Sequence, residues 1–133
     1  MANFTDHFIR GLKNTLLFRN NGSISHNGPA TILHNDTLLD RWHVNDFSTA
    51  EYIISADLND NNKEIIKVLV TATTNDAHLV EYARNSTNID IIEIKVLVTS
   101  SYVDVYVKPK IAKAKGAKLI FTAQYFQNQN PIT

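Results

Sequence analysis

The chain has 133 residues, 44% of them hydrophobic, and its 13 lysines and arginines balance 13 aspartates and glutamates. That length and apolar content fit one domain with one core, and a net charge of zero gives neither nucleic acid nor an anionic membrane a bulk electrostatic hold. The absence of cysteine excludes a disulfide framework, thiolate catalysis and cysteine-ligated metal centres.

Residues 1–40 differ from the rest. Phe4, Phe8 and Leu12 recur every four residues, the spacing of one helix face, with Thr5 or Asp6 placed to cap it and Gly11 inside the pattern. Asp6 and His7 interrupt what would be the apolar run of a signal peptide, and no stretch reaches the roughly 18–20 apolar residues that a membrane span needs. The sequons at Asn21 and Asn85 are therefore read as turn chemistry. The stretch RNNGSISHNGPA carries two Asn-Gly pairs, which favour the positive φ angles of hairpin turns, so Ile24 is expected in a short ribbon between two turns. The alternative for residues 1–40 is an extended arm packed on a neighbouring subunit; residues 41–133 form the domain proper.

From Trp42 onward the chain reads as strands. EYIISADL places Tyr52, Ile54, Ala56 and Leu58 on one face, and the turn NDNNK follows. EIIKVLVTA sets Ile66, Val68, Val70 and Ala72 opposite Lys67 and Thr71. TTNDA makes a turn, HLVEYA a short strand with Leu79 and Ala83 flanking Glu81, and RNSTN another turn. IDIIEIKVLVTS has Ile92, Ile94, Val96 and Val98 against Glu93, Lys95 and Thr99; SYVDVYVK sets Val103, Val105 and Val107 against Tyr102, Asp104 and Tyr106; AKLIFTAQYF ends the series. Period-two alternation of β-branched residues between polar turns is the signature of half-buried strands. Six or seven strands with no room for crossover helices predict an all-β, mostly antiparallel two-sheet sandwich, jelly-roll or immunoglobulin-like, with a short N-terminal helix or arm. A small barrel is the competing closure. The repeated string KVLVT, at 67–71 and 95–99, fits two central strands of such a sandwich or a decayed duplication, and its flanks do not continue the match.

Candidate chemistry is sparse. None of the five histidines stands four residues from another, which removes the zinc-peptidase pattern. His34, Asp36, Asp40 and His43 could converge on a metal, but scattered His and Asp in a loop are more often solvated. The run from Asp57 to Glu64 has oxygen side chains at alternate positions, yet Asn62 and Val68 stand where a calcium loop needs glycine and glutamate, so a hairpin turn explains it better. No nucleophile elbow or phosphate loop appears, and no catalytic residue, cofactor or metal is assigned. Lys108, Lys110, Lys113, Lys115 and Lys118 form a basic run with no acid after Asp104. It is read as a solvated hairpin whose lysines discourage edge pairing, or as a contact for an acidic neighbour ahead of nucleic acid. Tyr102 and Tyr106 share one face, with Tyr125 near by in sequence; they either complete a packed layer or form an exposed aromatic patch for a partner or glycan.

Asp46 and Phe47 before a strand containing Tyr52, then a strand opening on Glu64, then a short strand ending in Glu81-Tyr82, followed by valine-rich strands, give the span from Trp42 to Phe126 a resemblance. It is similar to a small β-domain of virion structural proteins from tailed cyanophages and related marine phages. The lysine-rich stretch and the N-terminal segment depart from that pattern. The resemblance implies a non-enzymatic building block of a phage virion, in capsid decoration, neck, baseplate or tail fibre. It would meet other virion proteins as a homo-oligomer or symmetric assembly through Phe4, Phe8, the five lysines, Tyr102 and Tyr106. A host-recognition or carbohydrate-binding sandwich is the alternative.

Overall fold

The computed structural model describes residues 15–18 and 23–128, and the expected helix or arm at Phe4, Phe8 and Leu12 lies outside them. In chain order the elements are β1 (Thr15–Phe18), β2 (Ser23–Asn27), β3 (Thr31–Ile32), β4 (Thr37–His43), β5 (Phe47–Asn59), β6 (Asn62–Ala72), β7 (Ala77–Ser86), β8 (Ile92–Thr99), β9 (Tyr102–Pro109), a 3-10 turn at Ala112–Ala114, and β10 (Lys118–Gln127). The alternating segments all become strands, and every pairing is antiparallel. They form two sheets: a large one in the order β1-β2-β10-β5-β6-β7, with β3 also on β10, and a small one in the order β4-β9-β8.

The core is the slab between the sheets. Ile54, Ile66, Val68, Leu119 and Tyr125 face it from the large sheet, and Trp42, Val103, Val105, Val107 and Ile92 from the small one, all nearly inaccessible to solvent. Each such side chain contributes about 1.5–3 kcal/mol relative to an exposed position. Because three strands cannot cover six, β7 keeps only half-buried or exposed residues. The two copies of KVLVT consequently part company. Val68 and Val70 are buried in the interior strand β6, whereas Val96 and Val98 are half-buried on β8, an edge of the small sheet. The expectation of two central strands holds for the first copy alone.

Other expectations need correction. The boundary proposed at residue 40 falls inside β4, and β2 and β3 follow one another along β10, so the strands between residues 23 and 40 belong to the sandwich. Asn27-Gly28 makes no hairpin between them. Gly28 serves close approach instead: its N–H donates to the Phe121 carbonyl at 2.8 Å, and a Cβ there would lie 1.9 Å from the Phe121 ring. The lysine-rich stretch is not a hairpin either, because β9 and β10 lie in different sheets and the stretch carries the chain between them. In β7 an extra residue at Tyr82 shifts the register, so Ala83 pairs with outward Lys67 while Leu79 pairs with inward Val70. The alternation expected through Glu81 breaks there. The two-residue turn from β8 to β9 uses Ser100 and Ser101 at φ 52° and 68°, the positive angles that such hairpin turns require.

Candidate functional site

A second register shift sets the surface of the small sheet. Leu38 pairs with Tyr106 and Asp40 with Val105, leaving Leu39 as the extra residue of a bulge. A bulge re-aims the side chains that follow it. Here it turns Asp40 and Trp42 toward the slab, alongside Val105 and Val103, and points Arg41 and His43 outward beside Asp104 and Tyr102.

The outward set is the candidate contact site. Arg41 grips Asp104 with two hydrogen bonds, Nε to Oδ1 at 2.5 Å and Nη2 to Oδ2 at 3.1 Å. The Asp104 side chain is 3% exposed while that of Arg41 is 51% exposed, so the guanidinium forms the lid of the pair. Hydrogen bonding to Asp104 pushes the Arg41 pKa further up, which keeps the cation in place. Arg41 also lies 5.5 Å from the centre of the Tyr102 ring, within cation–π range. The His43 ring meets that tyrosine edge-on at 4.9 Å, held by the Asn45 N–H donating to its Nδ1 at 3.0 Å. Two residues on from Asp104, Tyr106 lies 5.7 Å from Lys95 Nζ, and Lys95 reaches Asp36 at 3.5 Å. Tyr102 is 42% exposed and Tyr106 half-buried. The result is a row of rings interleaved with cations whose charges are mostly matched, a surface suited to stacking and hydrogen bonding.

The basic stretch lies at one end of the sandwich. Ala114 and Ala117 are buried while Lys113, Lys115 and Lys118 are exposed. The stretch is pinned by Gly116 N–H to the Leu33 carbonyl and Leu33 N–H to the Ala117 carbonyl, both at 2.8 Å. Gly116 takes φ +93°, a left-handed angle that favours glycine. Lys108 and Lys110 face Glu93 and Asp90 at 3.8 and 3.7 Å, long exposed pairs of little energetic weight. Among the described residues no carboxylate pairs with Lys113, Lys115 or Lys118, so these three remain available cations.

The expected site residues therefore separate. Tyr102, Tyr106 and Lys108 share the outward face of β9, the other four lysines lie beyond that strand, and Phe4 and Phe8 fall outside the described residues. Tyr125 is core: its hydroxyl and that of Tyr52 both donate to Asp40 Oδ2, at 2.5 and 2.6 Å, and Trp42 Nε1 donates to the Tyr52 oxygen at 2.9 Å. Asp40 thus leaves the group His34, Asp36 and His43, and no cluster of three metal-ligating side chains occurs among the described residues. Arg41 and Asp104 were missed as site members because they pair across 63 positions of sequence; only the inter-strand register joins them.

Glu64, like Asp104, is a buried carboxylate. It accepts from Arg84 Nη1 and Ser86 Oγ, each at 2.6 Å, and from the Ile92 N–H at 3.0 Å and the Ile91 N–H at 3.2 Å. Arg84 also donates to Glu81 and to the Ile92 carbonyl. Two of the residues carrying the sequence resemblance, Glu64 and Glu81, thereby clamp one arginine where the chain leaves the large sheet for the small one. A groove of about 160 Å³, lined by Ser25, Asn27, Glu51 and Gln124 among others, opens on the outer face of the large sheet. Its volume is below the roughly 300–1,000 Å³ of small-molecule sites.

No protein-family model matches the chain, and no curated protein matches it. Among solved structures it is similar to the tailspike protein of Acinetobacter baumannii phage AM24, with a TM-score of 0.52 and 8% identity over 89% of this chain and 28% of that one. It is also similar to tailspike gp49 of Acinetobacter baumannii bacteriophage Fri1, a capsular polysaccharide depolymerase, with a TM-score of 0.48 and 12% identity over 98% of this chain and 23% of that one. The tailspike of Acinetobacter phage vB_ApiP_P1 gives 0.45 and 9%, over 84% and 23%. At such identities the likeness is one of fold, and the chain spans about a quarter of the length of these proteins.

Proposed function

We propose that this chain is a non-enzymatic structural module of a tailed-phage particle, placed in the tail, spike or fibre and acting through protein–protein contacts. The observation that carries the reading is the fold shared with part of the AM24 tailspike over 89% of this chain. The resemblance of Trp42–Phe126 to the β-domain of cyanophage virion proteins points the same way. The chemistry is consistent with it: Asp40, Glu64 and Asp104 are each engaged by internal donors. Contacts would fall on the Tyr102–Tyr106 face and on the available lysines, repeated across copies in a symmetric assembly so that weak individual contacts sum. Immunogold labelling of purified particles tests the assignment. Label at the tail is expected; particles free of the chain would refute it.

A second reading is glycan recognition by the Tyr102 face, favoured by the half-exposed Tyr102 ring flanked by Arg41 and His43. It predicts saturable glycan binding that Tyr102→Ala with Tyr106→Ala abolishes. Silence across a broad glycan array removes it.

A further inference from the structure

The outer face of the large sheet carries an apolar strip that nothing in the described chain covers. Ile65, Leu69, Val80, Tyr82 and Ile120 are each 44–57% exposed. They lie on β6, β7 and β10, and half-buried Ile53 on β5 joins them. Isolated exposed apolar residues need no explanation, but a continuous patch across four strands marks an interaction surface.

The charges inside the strip identify the occupant. Glu51 pairs with Leu69 across β5 and β6, and Ile53 pairs with Lys67. These four outward residues occupy the corners of one cell, with the two apolar residues on one diagonal and the two opposite charges on the other. Lys67 is half-buried and has no carboxylate partner among the described residues. Glu51 accepts a hydrogen bond from the Tyr82 hydroxyl and retains further lone pairs for a cation. A two-fold axis lying along the Ile53–Leu69 diagonal maps the apolar residues onto themselves. It also brings Lys67 of one chain over Glu51 of its mate, and the reverse. The cell is self-complementary.

We propose that this face is an isologous interface in which two copies of the chain stack their large sheets, joined by the strip and by two reciprocal Lys67–Glu51 ion pairs. With ordinary strand and residue spacings the strands of the two sheets would cross at about 70°, nearer the orthogonal than the aligned class of sheet packing. The interface deepens the assembly reading given above, on which it rests for self-association, and adds the surface and the symmetry.

Sedimentation velocity on the full chain, from low to high micromolar concentration, tests it. A reversible dimer is expected. Leu69→Asp should abolish it. Lys67→Glu or Glu51→Lys alone breaks both symmetry-related pairs and should weaken it about a hundredfold, about tenfold for each pair, and the double exchange should recover most of the loss. All three substitutions fall on the outer face, and circular dichroism checks that each of the four variants keeps its strands. A chain that is monomeric throughout overturns the proposal and leaves the strip to another protein or to residues 1–14. A dimer indifferent to Leu69→Asp, or one that the double exchange fails to restore, also overturns this face while leaving assembly through another surface standing.

Discussion

Two tyrosine hydroxyls, from β5 and β10, donate to the same oxygen of Asp40 on β4, so a single carboxylate ties the large sheet to the small one. Burial pushes its pKa up from 3.8 to about 6, outweighing the hydrogen bonds from Tyr125 and Tyr52 that act the other way. The folded state therefore holds the proton more tightly than the unfolded chain does. Asp40's contribution to stability is complete below about pH 4 and is lost as pH rises through about 6. At about 1.4 kcal/mol per pKa unit that loss is about 3 kcal/mol at most. Asp40→Asn keeps an oxygen for the tyrosines and removes the titration, so the variant should show a flatter stability profile between pH 4 and 7 in urea denaturation. An unchanged profile would mean that Asp40 does not titrate in that window. Gly28 illustrates the opposite case, a residue defined by what it lacks. Gly28→Ala should cost about 1–3 kcal/mol by overpacking Phe121, which cannot swing aside within its cluster with His26 and Tyr52. Adding Phe121→Leu should return part of the lost melting temperature.

At the scale of elements, alternation carries the fold until a strand holds an odd extra residue. The buried rows Tyr52-Ile54-Ala56 and Val103-Val105-Val107 were legible because neither strand slips within them. The bulges at Leu39 and Tyr82 were not, since an inserted residue changes which face the next side chain takes without altering composition. That is why Asp40 read as a loop acid and Arg41 was passed over. The lysine run was likewise legible as surface but not as a crossover, because no local pattern states which sheet the next strand joins. Long-range clamps such as Glu64–Arg84 lie beyond single-sequence reading for the same reason. Glu64 has a fully buried side chain, so Glu64→Ala would leave the Ile91 and Ile92 amides without their acceptor and Arg84 with only Glu81 and the Ile92 carbonyl. A loss of about 3–5 kcal/mol is expected on chemical denaturation. Arg84→Ala on that background should cost less than it does alone, and strict additivity would show that the two do not act as one unit.

Across the whole molecule, polar chemistry is spent inward and contact surface is left outward. Buried carboxylates hold the sheets and their crossovers together, while exposed rings, an apolar strip and available lysines face the surroundings. Charge is unevenly placed as well: among the described residues the exposed lysines without an acidic partner, Lys113, Lys115 and Lys118, cluster at the end where the chain crosses from the small sheet to the large. A neighbour meeting that end would present acids, and such steering weakens as salt screens it. Amine crosslinking followed by mass spectrometry on intact particles addresses this arrangement most directly. On the proposed virion role, crosslinks from Lys113, Lys115 and Lys118 to a neighbouring protein of the particle are expected, with their yield falling as salt is raised before the reaction. Links confined to this chain's own lysines in assembled particles would contradict the account.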